Sequence, residues 1–82
     1  MTFSVIAKLF GRNSKYISDA KVSFKAMNFG NALRMIDDGE LNQRGRALRM
    51  DFDKKTLKMC EDAPPVRGAY QVELLPTKKE RL

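Results

Sequence analysis

Between Lys21 and Ala26 apolar and polar residues alternate strictly: Val22, Phe24 and Ala26 point one way, and Lys21, Ser23 and Lys25 the other. A period of two is the signature of a strand with one buried and one wet face, so the chain must build a sheet covered on a single side. The pattern recurs further on. Leu48, Met50 and Phe52 alternate with Ala47, Arg49 and Asp51, while Leu57 and Met59 alternate with Thr56, Lys58 and Cys60. Asp53-Lys54-Lys55 lies between these two runs and reads as the tight turn of a hairpin over residues 46–60. After Pro64-Pro65, which cannot donate to a ladder, and Gly68, which permits a turn, Tyr70, Val72 and Leu74 face inward on a final strand that Pro76 stops.

The start of the chain is more ambiguous. Phe3, Val5, Ala7 and Leu9 alternate with Thr2, Ser4, Ile6 and Lys8, and the β-branched and aromatic content favours a strand. A helix is the rival, since Phe3, Ile6, Ala7 and Phe10 also fit helical spacing and Gly11 could cap it. Gly11 to Lys15 reads as a turn or loop. Phe29, Ala32, Leu33 and Ile36 form one helical stripe behind Asn28, a residue able to accept from the free amides of a first turn, and Gly39 ends it. Asp37 and Asp38 oppose the dipole of that helix, so packing rather than propensity must hold it.

These elements predict an α+β fold: an antiparallel sheet of four to five short strands with one short helix on one face, in ββαβββ order. Residues 1–76 form the single domain and 77–82 a charged tail. The expected core is Phe3, Val5, Leu9, Val22, Phe24, Phe29, Leu33, Ile36, Leu48, Met50, Phe52, Leu57, Met59, Tyr70, Val72 and Leu74. An internal echo needs separate treatment. Gly30 to Asp38 repeats at a spacing of fifteen as Gly45 to Asp53, with six of nine positions identical. Fifteen residues is shorter than the units that stack into solenoids, and the first copy has helical spacing while the second has period two. One short word is expected to serve two structures.

Composition narrows the chemistry. Eighty-two residues support one core, and the chain has no histidine, one cysteine and no tryptophan, which removes the usual general base and the usual metal ligands. The glycines nowhere form a phosphate-cradling loop with Lys-Ser/Thr. Asp51, Asp53 and Lys55 resemble the carboxylate and lysine set of a metal-dependent nuclease, but charge pairing on a solvated face is the commoner use of such residues. Cys60 has no histidine to activate it. The expectation is a non-enzyme with no metal and no cofactor. A lone cysteine, the absence of a basic leader and the absence of a long apolar run predict a cytoplasmic protein without membrane contact.

What remains is charge. Sixteen basic against ten acidic residues leave +6, a surplus that suits an anionic partner and also serves solubility alone. Position says more than number. Lys8, Arg12, Lys15, Lys21 and Lys25 face only Asp19 across residues 8–25, whereas residues 37–62 hold six basic and seven acidic residues. Tyr16, and Phe10 beside it, could stack on unpaired bases within that basic stretch, and Arg44 and Arg46 around Gly45 could grip phosphate. Ser23-Phe24-Lys25 followed by Phe29-Gly30 resembles a segment of the small single-strand DNA-binding proteins of filamentous phages, over eight of the 82 residues. The resemblance implies single-stranded nucleic acid.

The expected function is therefore nucleic-acid binding through Lys8, Arg12, Lys15, Tyr16, Lys21, Lys25, Arg44 and Arg46, with single strands favoured. The alternative is a protein-interaction module, an inhibitor, adaptor or assembly factor, that docks on an acidic protein surface or adds a strand to a partner sheet. A homodimer through an exposed strand suits a core this small.

Overall fold

The computed structural model describes residues 1–43, 49–60 and 70–75. Strands β1 (Thr2–Phe10) and β2 (Tyr16–Lys25) form an antiparallel hairpin, helices α1 (Phe29–Asp37) and α2 (Glu40–Gln43) follow, and strands β3 (Arg49–Met59) and β4 (Tyr70–Leu74) complete the sheet. The strand order is β3-β1-β2-β4, all neighbours antiparallel. The α+β class is as expected, but the element order is ββααββ.

Alternation decides the first strand. Phe3, Val5, Ala7 and Leu9 are all buried and pair in register with Phe24, Val22, Ala20 and Ser18, so the two period-two patterns merge into one apolar surface. A helix over residues 2–10 could not have served that partner. At the turn, the Ser14 amide donates to the Gly11 carbonyl at 2.9 Å and the Gly11 amide to the Lys15 carbonyl at 2.9 Å, with Ser14 in the left-handed region at φ 61°. Ile17 is the extra residue of a bulge, since Leu9 faces Ser18 while Phe10 already faces Tyr16.

Helix α1 starts where the sequence places it. The Asn28 side chain accepts from the Asn31 amide at 2.8 Å, which satisfies one of the four unpaired first-turn donors. Ala32 and Ile36 are buried against the sheet, with Leu33 and Met35 packed at the margin. Phe29, expected in the core, is 48% exposed, although its ring meets Phe3 edge-on at 6.2 Å. Gly39, at φ +75°, turns the chain into α2, a helix absent from the sequence reading, and α2 buries Leu41. Asn42 then accepts from the Met50 amide at 3.2 Å and ties α2 to the start of β3. The acidic helix end is compensated by ion pairs: Arg34 reaches Asp38 at 3.2 Å and Lys54 reaches Asp37 at 2.9 Å.

The expected 46–60 hairpin is a correction. Residues 49–59 are one strand, with Ile6 opposite Asp53 and Ser4 opposite Lys58, so that Val5 alone faces the four residues Lys54 to Leu57. This wide bulge shifts the parity, which is why Met50 and Leu57 are both buried despite lying an odd number of residues apart. Thr56 fills the gap in the ladder. Its hydroxyl accepts from the Ile6 amide at 2.7 Å and donates to the Asp53 carbonyl at 2.7 Å, while Asp53 Oδ1 accepts from the Lys55 amide at 3.1 Å.

Three further expectations change. Val72 and Leu74 lie in register with buried Val22 and Ala20 but are 44% and 65% exposed, because β4 is an outer strand. Met59 is likewise half exposed on the other outer strand. Phe52 is only partly buried, whereas Ala7, Ala20, Ala32 and Leu41 are core residues. Leu48, the turn at Pro64-Pro65 and Gly68, and the tail 77–82 lie outside the described residues. The repeated word does serve two structures: Arg34-Met35 is helical and Arg49-Met50 is strand. No helix among the described residues is long and apolar enough to cross a membrane.

Candidate functional site

The helices cover one sheet face, so the even-numbered residues of β1 and their neighbours form the other. Its rows follow from the registers: Thr2 with Lys25; Lys58, Ser4, Ser23 and Gln71; Asp53, Ile6, Lys21 and Glu73; Asp51, Lys8 and Asp19; Arg49, Phe10 and Tyr16. The basic residues singled out in the sequence fall into three places. Arg12 and Lys15 sit on the exposed hairpin turn. Lys8 lies between Asp19 and Asp51 in one row. Lys21 and Lys25 lie toward the opposite end: Lys25 faces Thr2, eight residues along β1 from Phe10, and so stands about 27 Å from the hairpin end by strand rise. Arg44 and Arg46 lie outside the described residues.

The hairpin end of this face is closed on itself. The Arg49 guanidinium lies 4.3 Å from the centre of the Phe10 ring and reaches Asp51 at 3.4 Å, while Phe10 and Tyr16 meet edge-on at 6.0 Å. The Tyr16 hydroxyl donates to Asp19 at 2.8 Å. That hydrogen bond holds the Tyr16 hydroxyl above its ordinary pKa, with partial desolvation and the Asp19 charge adding in the same direction. Tyr16 is 43% exposed, yet its hydroxyl and one ring edge are committed within the protein.

The other end is open. The bulge between β1 and β3 leaves a groove of about 550 Å³ lined by Lys21, Lys55 and Lys58, by the polar side chains of Ser4, Thr56 and Cys60, and by Val5, Ile6 and Met59. Lys25, one row beyond Ser4 and Ser23, adds a fourth cation to this end. Lys21 and Lys58 stand two strands and two residues apart, about 12 Å between Cα atoms, so flexible lysine stems can bring both ammonium groups to one anion. Among the described residues two carboxylates share the area. Glu73 neighbours Lys21 on β4, and Asp53 caps the bulge through the Lys55 amide. None of the three ion pairs among the described residues involves Lys21, Lys25, Lys55 or Lys58. The Cys60 thiol donates to the Ser4 hydroxyl at 3.0 Å on the groove wall.

Lys55 and Lys58 escaped the sequence reading. They lie 34 and 37 residues after Lys21, and only the β1–β3 and β1–β2 registers bring the three together. Their own segment carries balanced charge, so no local signal marked them. The nuclease-like trio is dispersed by the same geometry: Asp51 is held by Arg49, Asp53 by the bulge, and Lys55 lines the groove. Ser23 to Lys25 end β2 and Phe29-Gly30 open α1, so the phage-like segment spans a strand end and a helix start. No family model, curated protein or solved structure matches the chain, and what the site can do rests on its own geometry.

Proposed function

We propose that this protein is a small non-enzymatic nucleic-acid-binding module that holds the phosphate backbone of a single strand in the lysine groove. The observation that carries this reading is the convergence of Lys21, Lys55 and Lys58 on one open groove, with Lys25 beside it. Phosphate oxygens would be held by ammonium groups and by the hydroxyls of Ser4 and Thr56, a chemistry that fixes the backbone and reads no base. Among the described residues no aromatic side chain lines the groove, so base stacking by them contributes little there. A flexible strand can follow the groove, whereas a stiff duplex touches a sheet face along a ridge.

Fluorescence anisotropy with a labelled oligothymidylate, an oligouridylate and a duplex, at two or more salt concentrations, tests the reading. Three to four phosphate contacts predict a slope of log K against log salt of roughly −2 to −3 for single strands. A slope near zero, or affinity unchanged in a Lys21→Gln/Lys58→Gln variant, overturns it.

A further inference from the structure

Among the described residues β4 pairs with β2 alone, and its outer edge has the makings of a strand acceptor. Its neighbour β2 uses one set of backbone groups: the Leu75 amide donates to the Asp19 carbonyl at 3.0 Å, and Asp19 and Leu75 continue the register in which Ala20 faces Leu74. Hydrogen-bonded and non-hydrogen-bonded pairs alternate along an antiparallel ladder, so Gln71, Glu73 and Leu75 bond to β2. The amides and carbonyls of Tyr70, Val72 and Leu74 therefore point away from β2, to the side where no described strand lies. The other outer strand, β3, is broken by its bulge and carries Lys54 and Lys55 there, devices that discourage edge pairing. Within Tyr70–Leu74 there is no lysine, no proline and no bulge.

We infer that β4 pairs antiparallel with β4 of a second copy about a two-fold axis through Val72, joining two four-stranded sheets into one of eight. The sequence of the edge is self-complementary in this register. Val72 faces Val72 of the second copy, and Tyr70 faces Leu74, so the three residues with outward backbone groups all meet residues of the same phase. On the polar face Gln71 stands beside Glu73 of the second copy, an amide donor against a carboxylate, while Glu73 keeps Lys21 of its own sheet on its other side. On the helix-side face the half-exposed Val72 and Leu74 gain apolar neighbours across the axis. The two-fold axis stands perpendicular to the sheet, so both copies turn the same face the same way. Both lysine grooves then open on one surface, with the two β2 strands three spacings, about 14 Å, apart. The pairing is independent of the nucleic-acid reading and is tested without nucleic acid.

Sedimentation velocity of the full chain across a concentration series should show a monomer–dimer equilibrium. In a Cys60→Ser background, Val72→Cys places the thiol on the axis, where paired Cα atoms stand about 5.5 Å apart, within disulfide reach. Leu74→Cys places the two thiols four residues apart along the strands, about 13 Å and out of reach. Mild oxidation should link the first variant as a dimer and leave the second unlinked. Val72→Pro, which removes only an outward amide, should give a folded monomer by sedimentation and circular dichroism. A monomer at every concentration overturns the inference. So does cross-linking of the Leu74→Cys variant as fast as the Val72→Cys variant, or a dimer that survives the proline.

Discussion

At the hairpin end of the polar sheet face, Lys8 and Arg49 each stand beside a carboxylate; at the other end, Lys21, Lys25, Lys55 and Lys58 have Glu73 and Asp53 between them. Both ends set basic residues beside carboxylates on strands of one sheet. Register, rather than composition, makes the difference, because β3 delivers Asp51 to Lys8 but delivers Lys55 and Lys58 to Lys21. Like charges tolerated close together in water await a counter-charge, whereas an ion pair already has one. A net charge of +6 thus says less than where, among the described residues, the sheet leaves cations outside ion pairs.

The contrast breaks most sharply under charge reversal. Lys21→Glu with Lys58→Glu should lower affinity for a single-stranded oligonucleotide by about a hundredfold at moderate salt, as expected for losing two phosphate contacts and adding two repulsions. Lys8→Glu, between two carboxylates, should lower it only a few fold. Equal losses in the two titrations would erase the distinction between the ends. Thr56→Val tests whether the bulge that opens the groove is fixed by a side chain: losing the acceptor for the Ile6 amide should cost about 1–3 kcal/mol in urea unfolding, with Thr56→Ser close to wild type. Equal stability of the valine and serine variants would show that the hydroxyl does not hold the ladder.

Smaller effects sharpen the closed end. Arg49→Ala should destabilise by about 0.5–1 kcal/mol through loss of the cation over Phe10, and Arg49→Lys should recover part of it. Nucleic-acid affinity should barely move, and a loss as large as that of the groove variant would place Arg49 in the interface instead. The Tyr16 titration is the finest probe. Its phenol ionises above the ordinary value because Asp19 accepts its proton in a hydrogen bond, so Asp19→Asn should lower that pKa. Any stability the bond confers is present below the unfolded tyrosine pKa and is lost as pH rises through the folded one. Absorbance difference titrations against Tyr16→Phe would read the shift, and an unchanged value in Asp19→Asn would remove Asp19 as its cause.

Much of the fold was legible because β1, β2 and α1 carry complete local patterns. Val22 and Phe24 alternate with lysine and serine, and Asn28 precedes a helical stripe, so each element declares its own type. Residues 53–57 misled for a physical reason. The apolar positions change parity between Phe52 and Leu57, and a tight turn and a bulge both accommodate that change with the same polar residues. Only the partner strand decides, and β1 runs past the whole of β3. The exposure of Val72 and Leu74 was equally hidden, since alternation reports a face and not whether anything covers it. The candidate site was half legible: Lys21 and Lys25 stood out in a basic run, while Lys55 and Lys58 were masked by neighbouring acids that the fold turns to other uses.

The bulge has one more consequence. Two consecutive residues leave it on opposite errands: Lys54 pairs with Asp37 at the end of α1, and Lys55 lines the groove on the far side of the sheet. An exposed ion pair is a weak tether, worth at most about 1 kcal/mol, but it shares its backbone with the groove wall. The stretch of backbone that forms the groove wall thus also carries a contact to the end of the helix on the other face of the sheet.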